Sequence, residues 1–250
     1  ARRAADAGAS LLDIGGESTR PGAARVPARE QIARVLPAIT AIRAAGGHLA
    51  AIPISIDTTL EPVARAALDA GADIVNDVSG ASEDPRVLPL VAERRAGIIL
   101  MHRERPPELD LYSTQYARGT SHAPFDGDIV ARVKDALARM LSRATDAGID
   151  PRAVILDPGL GFGKSVAENL ELIRRTPELL ELGRPVLSGI SRKSFVGKVS
   201  EGGGSGATLS PKERLPGTLA LSVEHLRAGA RLFRVHDVAE HVMALGVRQC

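Results

Sequence analysis

The amino-acid sequence predicts an α/β domain built from parallel strands that are buried on both faces. Seven short runs are continuously apolar rather than alternating, as buried parallel strands are. Longer stretches of helical period, rich in Ala, Leu and Arg, separate these runs. No break in composition resembles a linker, so residues 1–250 are predicted to form one domain. The predicted strands are 11–14, 54–56, 74–75, 98–100, 154–156, 186–187 and 232–235.

The helices between these strands have recognisable ends. One is predicted over 61–70, with Pro62 in its first turn and a glycine after its end, and another over 128–147, again before a glycine. Pro37 is expected to kink or split a helix over 31–45, because proline cannot donate a backbone hydrogen bond. No regular structure is predicted for 108–126, and no role is assigned to 103–126.

A polar side chain stands at the end of each predicted strand. Parallel strands closed into a barrel point all their carboxyl ends to one face, so these side chains are expected to meet there. One such residue would need no explanation, but seven in register favour a shared site in a TIM (β/α)8-type barrel. An open doubly wound sheet would also gather its strand ends, although it normally carries a glycine-rich dinucleotide or phosphate turn. The seven residues are Asp13, Asp57, Asn76, His102, Asp157, Ser188 and His236.

The composition excludes several classes of protein. The 32 Lys and Arg nearly balance 30 Asp and Glu, and 44% of the residues are hydrophobic, which is typical of a folded domain rather than a disordered or nucleic-acid-binding arm. Six aromatic residues and no Trp offer little surface for base stacking. Cys250 is the one cysteine, so an intramolecular disulfide is excluded. With no long apolar run and no signal-peptide pattern, a cytoplasmic protein without membrane or nucleic-acid partners is expected.

The glycine-rich string PGLGFGKS at 158–165 is not a nucleotide-binding motif. Pro158 stands where a P-loop needs its first glycine, and the three glycines are spaced too closely for the dinucleotide fingerprint. The sequence instead predicts a strand that ends at Asp157 and a glycine loop whose backbone packs closely against a ligand. A purely structural turn is the alternative interpretation.

Three further strand exits carry groups suited to anions. Thr19 and Arg20 follow the first strand, and the string SRKS at 191–194 leads into a helix. Solvated loop residues are the alternative at both places. Arg234 and His236 lie on the same side of the last strand, where an anionic partner is expected. The six histidines lack the spacing of a metal site.

Seven segments, taken in order, resemble those of dihydropteroate synthases. The resemblance extends over almost the whole chain and is highly specific. Related pterin-binding methyltransferase domains share some of the Asp and Asn positions but do not usually combine the SRKS and RVHDV segments. The segments are DIGGESTRPG at 13–22, SIDTT at 55–59, VNDVSG at 75–80, MH at 101–102, LDPGLGFGKS at 156–165, GISRKSFVG at 189–197 and RVHDV at 234–238.

The resemblance implies a transferase of folate biosynthesis that condenses 7,8-dihydropterin-6-ylmethyl diphosphate with p-aminobenzoate and releases pyrophosphate. It implies Mg²⁺ as a cofactor, a homodimer as the assembly and sulfonamides as inhibitors. Asp157, Lys193 and Arg234 are the implied catalytic residues. By substrate group, the implied contacts are Asp57, Asn76, Asp157, Phe162, Lys193 and Arg234 for the pterin; Arg20, Arg234 and His236 for the diphosphate; and Thr19, Arg20, Pro21, Ser191 and Ser194 for p-aminobenzoate.

The chain departs from the family pattern at its start. Dihydropteroate synthases open with a first strand and a loop of the type NVTPDSFSDGG, which is absent here. We therefore expect an N-terminally truncated barrel with seven visible strands, a natural protein that begins upstream, and no metal-ligating residue, because that loop supplies the usual Asn. Two alternatives stay open. One is a non-condensing pterin-binding domain, either a degenerate paralogue or a methyltetrahydrofolate-type methyltransferase barrel; the other is a non-catalytic fragment.

Overall fold

The computed structural model describes residues 1–116, 127–201 and 209–246. In this part of the chain, seven strands alternate with helices. The strands are β1 Leu12–Gly15, β2 Ile54–Asp57, β3 Ile74–Asp77, β4 Gly97–Met101, β5 Val154–Asp157, β6 Leu187–Ser188 and β7 Leu232–Phe233. The helices are α1 Arg2–Asp6, α2 Ala28–Ala44, α3 Gly47–Ala51, α4 Glu61–Asp69, α5 Val87–Arg94, α6 Ile129–Asp146, α7 Val166–Arg174, α8 Thr176–Leu180, α9 Ser194–Ser200, α10 Leu215–Arg227 and α11 Val238–Gly246.

All strand pairs are parallel and follow the order of the chain. β1 to β5 form one sheet, and β6 pairs with β7. A parallel bridge between Leu156 and Val186 joins the two groups, so the strands run from β1 to β7 in sequence. Within the described residues, no backbone ladder connects β7 back to β1. The α/β fold with parallel strands is confirmed, and every predicted apolar run contains or adjoins a strand.

The main core lies between the sheet and the helices. Strand residues such as Ile54, Ile56 and Ile98 are fully buried, and helices contribute Ile39 and Leu137. This burial on both faces explains why the strands are apolar without alternation. The core holds the strands in register and thereby aligns their carboxyl ends.

The predicted ends of two helices are confirmed. α4 begins at Glu61 with Pro62 in its first turn, and α6 begins after Asp128, whose carboxylate accepts hydrogen bonds from two backbone N–H groups of the first turn. Of the two outcomes expected at Pro37, the split is wrong, because α2 is continuous through it, and the kink stays a prediction. Val35 and Ile39 are buried on either side of Pro37, and this packing holds the helix together.

The segment after β4 contains short 3₁₀ turns where no regular structure was expected. They cover Pro107–Leu109 and Ser113–Gln115. The carbonyl of Pro107 accepts a hydrogen bond of 2.8 Å from the N–H of Gly22, so this segment contacts the loop after β1. Residues 117–126 lie outside the described part of the chain, as does Cys250.

None of the helices in residues 1–116, 127–201 and 209–246 is long and apolar enough to cross a membrane.

Candidate functional site

The carboxyl ends of β1, β2, β3 and β7 bring five polar residues together, which we name the acidic cluster: Asp13, Ser55, Asp57, Asn76 and Arg234. The register pairs Asp13 with Ser55 and Asp57 with Asn76, so the polar residues of adjacent strands lie level with one another. The shared face follows from period-two alternation, because Ser55 and Asp57 are two residues apart on one strand.

Arg234 is the cation of the acidic cluster. Its Nη1 lies 3.0 Å from Asp57 Oδ2 and 3.3 Å from Asp13 Oδ2. Ser55 Oγ donates to Asp13 Oδ1 at 2.6 Å, and Asn76 Nδ2 donates to both oxygens of Asp13 at 3.3 Å. Two carboxylates thus share one guanidinium. Because Asn76 uses its nitrogen on Asp13, its amide oxygen is the atom left to accept a hydrogen bond.

Opposing effects act on the protonation of the acidic cluster. Burial raises the pKa of Asp57, the negative charge of Asp13 raises it further, and Arg234 opposes both effects. The carboxylates raise the pKa of Arg234, although its burial acts in the opposite direction. The cluster therefore holds a permanent cation beside a carboxyl group that titrates closer to neutrality than an ordinary Asp.

The ends of β5 and β6 bring together a second group, which we name the lysine cluster: Asp157, Gly159, Leu160, Phe162 and Lys193. Asp157 Oδ1 accepts a hydrogen bond of 2.7 Å from the N–H of Gly159. The ammonium of Lys193 lies 4.0 Å from the centre of the Phe162 ring and donates to the carbonyl of Leu160. Phe162 itself is buried in a small apolar group with Val78 and Met101, apart from the main core.

Gly189 leaves space between the two charged groups of the lysine cluster. A methyl group on Gly189 would lie 3.8 Å from both Asp157 Oδ2 and Lys193 Nζ. Burial lowers the pKa of Lys193 to about 7, although the charge of Asp157 raises it. Burial raises the pKa of Asp157, and Lys193 opposes that shift. An acceptor and a donor therefore lie beside Gly189, and the donor lies over an aromatic ring.

The exits of β6 and β7 contact each other at the mouth of the barrel. His236 Nδ1 lies 2.9 Å from Ser191 Oγ, and the backbone N–H of His236 donates to the same oxygen at 3.2 Å. Arg192 forms an ion pair with Asp237 and has a left-handed backbone, with φ of 58°. Burial lowers the pKa of His236, and the positive charges of Arg192, Arg234 and Arg20 contribute to the shift. Charges from three loops therefore act on one histidine.

The loop after β1 contains Thr19, Arg20 and Pro21. Arg20 is exposed, and its positive charge is one of those that lower the pKa of His236. Within the described residues, no hydrogen bond links Thr19 or Pro21 to the two clusters. Ser194 is the first residue of α9, as the SRKS string predicts.

The seven strand-end residues do not all share one site. Asp13, Asp57 and Asn76 form much of the acidic cluster, Asp157 belongs to the lysine cluster, and His236 lies at the mouth. Ser188 instead contacts the buried ring of His225 at 2.9 Å, and His102 Nε2 lies 3.2 Å from Glu104. Burial lowers the pKa of His102 to about 4, so this ring is neutral.

Sequence reasoning missed four side chains that organise these clusters. Asp13 was recognised only as a strand end, and Ser55 was not singled out. Lys164 is completely buried behind the glycine loop, and the buried carboxylate of Asp110 accepts a hydrogen bond of 3.1 Å from the N–H of Gly163. A lysine inside a glycine run was a usable signal for Lys164, whereas Asp110 lies in a segment without any pattern.

The chain was compared with known proteins. The sequence profile described as "Pterin binding enzyme" matches residues 1–236. A dihydropteroate synthase of Synechocystis sp. is 43% identical over 231 residues, which are 92% of this chain and 73% of that protein. The Xanthomonas albilineans dihydropteroate synthase with 4-aminobenzoic acid has a TM-score of 0.85 and 42% identity, covering 99% of this chain and 81% of that one. The enzyme of the same organism in complex with 7,8-dihydropteroate gives 0.82 and 39%, with the same coverage.

These matches agree with the geometry described above. They extend over nearly the whole chain, at identities well beyond those that show a fold alone, and they share its parallel α/β barrel. The chain therefore belongs to the dihydropteroate synthase family of pterin-binding transferases.

Proposed function

We propose that the two clusters together condense 7,8-dihydropterin-6-ylmethyl diphosphate with p-aminobenzoate. The observation that carries this proposal is a set of hydrogen-bond acceptors, Asp57, Asn76 and Asp157, at the ends of β2, β3 and β5, together with one donor, Lys193, over the ring of Phe162. A pterin has adjacent N–H donors along one edge and acceptors along another, so its outline matches this set. The 4-aminobenzoic acid and 7,8-dihydropteroate bound by the Xanthomonas albilineans relative support the same reaction.

The pterin would lie between the acidic cluster and the lysine cluster. Asp57, Asn76 and Asp157 accept hydrogen bonds from it, and Lys193 donates one. Phe162 and the aliphatic part of Arg234 flank the ring. The hydrogen bonds of Asn76 support its role as an acceptor, because its nitrogen already donates to Asp13 and its oxygen is left to accept.

The diphosphate and p-aminobenzoate would bind at the mouth of the barrel. Arg20, Arg234 and His236 bind the diphosphate, and the shared electrostatic influence on His236 supports their grouping. The p-aminobenzoate site is lined by Thr19, Arg20, Pro21, Ser191 and Ser194, with its carboxylate beside the start of α9.

The reaction needs no nucleophile from the protein. The C–O bond to the diphosphate breaks, and its electron pair leaves with the diphosphate. The amine nitrogen of p-aminobenzoate then forms the C–N bond and loses a proton. Arg20 and Arg234 stabilise the leaving anion, while the carboxylate of Asp157 stabilises the positive charge that develops on the pterin.

Asp13 and Asp57 are hard ligands of the kind that Mg²⁺ prefers, and both already bind Arg234. No group of three or more His, Cys, Asp or Glu side chains in residues 1–116, 127–201 and 209–246 could hold a metal ion. Mg²⁺ remains a proposal from the family resemblance, and no step above depends on it.

Three further properties are proposed on the family resemblance: a homodimer, a cytoplasmic location and inhibition by sulfonamides. Light scattering coupled to gel filtration tests the first. A mass equal to one chain of 26.2 kDa would contradict it.

A pyrophosphate-release assay tests the proposed reaction. We expect release only when both substrates are present, and inhibition by a sulfonamide that competes with p-aminobenzoate. The control omits p-aminobenzoate. Binding of 7,8-dihydropteroate without pyrophosphate release would instead support a non-condensing pterin-binding domain, and the absence of both would support a non-catalytic fragment.

A further inference from the structure

Lys164 carries a completely buried ammonium group behind the glycine loop at 158–163. Its side chain has no exposed surface. Nζ donates to the carbonyls of Gly159 and Phe162, both at 2.9 Å, and to that of His102 at 3.4 Å. Three donors thus meet three acceptors. In the described part of the chain, Lys164 forms no ion pair with a carboxylate within 4.0 Å.

The ammonium holds the ends of two strands against the loop. His102 follows β4, and its N–H donates to the carbonyl of Asp157 at the end of β5 at 2.9 Å. Gly159 has a left-handed backbone with φ of +66°, and a methyl group on it would lie only 1.7 Å from the carbonyl oxygen of His102. Lys164 therefore bonds the two carbonyls at a place where the backbone chains approach closely.

The path of this loop determines the geometry of the lysine cluster. Gly159 supplies the N–H bound by Asp157, Leu160 supplies the carbonyl bound by Lys193, and Phe162 supplies the ring beneath that ammonium. All three belong to the loop whose carbonyls at Gly159 and Phe162 accept hydrogen bonds from Lys164. A change in the path of this loop would therefore alter all three contacts.

An ammonium in such a place is costly. Burial lowers the pKa of Lys164 to about 8, although the charges of Glu104, Asp157 and Asp110 raise it. A methionine would fill similar space without the desolvation cost. The three donors of Lys164 satisfy three converging backbone carbonyls that an apolar side chain would leave without a partner. The same hydrogen bonds fix the path of the loop.

We propose that Lys164 is a positioning residue of the transferase site, acting through the 158–163 loop to place Asp157, Phe162 and Lys193 around the pterin. This inference rests on the proposed function. Lys164 does not itself touch the substrate, because its ammonium is enclosed by backbone carbonyls.

The test replaces Lys164 with methionine. We expect Lys164→Met to lower kcat/KM for the pterin substrate by about 10²-fold, as a misplaced reacting group does. The dissociation constant for 7,8-dihydropteroate should rise in parallel, whereas the KM for p-aminobenzoate should change much less. The matched control is Lys134→Met, whose ammonium binds Glu181 on the outside of α6. A folded Lys164→Met protein with unchanged kcat/KM and unchanged affinity would overturn the proposal.

A double-mutant cycle separates positioning from a general loss of stability. If Lys164 acts through the loop, Lys164→Met should weaken 7,8-dihydropteroate binding less in a Phe162→Ala background than in the wild type. Additive effects of the two substitutions would contradict the proposal.

If Lys164→Met does not fold, Lys164→Gln replaces it, since it keeps two donors on a shorter side chain. The affinity of Lys164→Gln for 7,8-dihydropteroate should then be lower than that of the wild type but still measurable. An affinity equal to that of the wild type would overturn the proposal. The affinity is measured without turnover. A wild-type chain that binds 7,8-dihydropteroate but releases no pyrophosphate would therefore contradict the proposed function, and the binding test of Lys164 could still be made.

Discussion

Asp57 and Lys193 have pKa values displaced in opposite directions. Burial raises the pKa of the Asp57 carboxyl and the neighbouring Asp13 adds to the shift, while burial lowers the pKa of Lys193 to about 7. Neither shift could be read from the sequence, because each depends on how much water the folded chain excludes from the group. Both groups therefore titrate near neutral pH.

We expect the affinity for 7,8-dihydropteroate to be greatest near pH 7. Below that pH Asp57 gains a proton and no longer accepts as a carboxylate; above it Lys193 loses its charge. Calorimetric titrations between about pH 5 and pH 9 would measure the profile. Asp57→Asn should weaken the acid limb, to which Asp157 also contributes because burial raises its pKa, and Lys193→Met should remove the alkaline limb. An affinity independent of pH in the wild type would contradict both roles.

Asp157 is predicted to act on the chemical step more than on the binding of the second substrate. Asp157→Asn should lower kcat by about 10²-fold, because the developing positive charge loses its carboxylate. The KM for p-aminobenzoate should change far less. Steady-state kinetics would measure both, with Asp69→Asn as a control, since Asp69 pairs with Arg94 on the outer surface. Unchanged turnover in Asp157→Asn would count against the role.

At the scale of elements, the loops at the strand ends reveal more about the proposed site than the strands do. The glycine loop between β5 and α7 is recognisable from its three glycines, and all three have left-handed backbones, with φ of 66°, 81° and 62°. The sequence predicted that its backbone packs closely against a ligand, which stays a prediction; at Gly159 the backbone approaches the carbonyl of His102. What it approaches was not predictable, because His102 and Lys193 come from other loops.

Two glycines with similar backbones should respond differently to alanine. Gly159→Ala would push a methyl group into the carbonyl of His102, whereas Gly183, with φ of +70°, has nothing within 4 Å. We expect Gly183→Ala to lower the free energy of unfolding by about 1 kcal/mol, the cost of the left-handed backbone. Gly159→Ala should cost more than about 3 kcal/mol, because rigid backbone cannot yield. Urea denaturation measures both, and equal losses would contradict the packing argument.

For the whole molecule, Arg234 connects the last strand with the first two. The acidic cluster brings Arg234 within 3.3 Å of Asp13, a residue 221 positions earlier, at a place where the described strands β7 and β1 share no backbone ladder. The ion pair therefore links the two ends of the strand order as well as serving the proposed site.

Arg234→Met should lower the free energy of unfolding by about 2 kcal/mol at neutral pH, since two carboxylates lose their shared hydrogen-bond donor. The deficit should shrink as the pH falls through the raised pKa of Asp57, because the protonated Asp57 carboxyl no longer needs a cation. Urea denaturation at several pH values measures this. Arg152→Met is the control, since Arg152 is 86% exposed and should change stability little at any pH. A deficit that does not depend on pH would contradict the ion-pair explanation.

Local patterns in the sequence were enough to predict the strands, the ends of two helices and the residues at the strand exits, because burial periodicity, caps and glycine turns act over a few neighbouring residues. The family resemblance added the chemistry of those exits. The partners of the exit residues needed the folded chain: Arg234 with Asp13 and Asp57, Ser188 with His225, and Lys164 with three carbonyls. These contacts depend on strand register and on packing between distant loops, and neither leaves a local trace in the sequence.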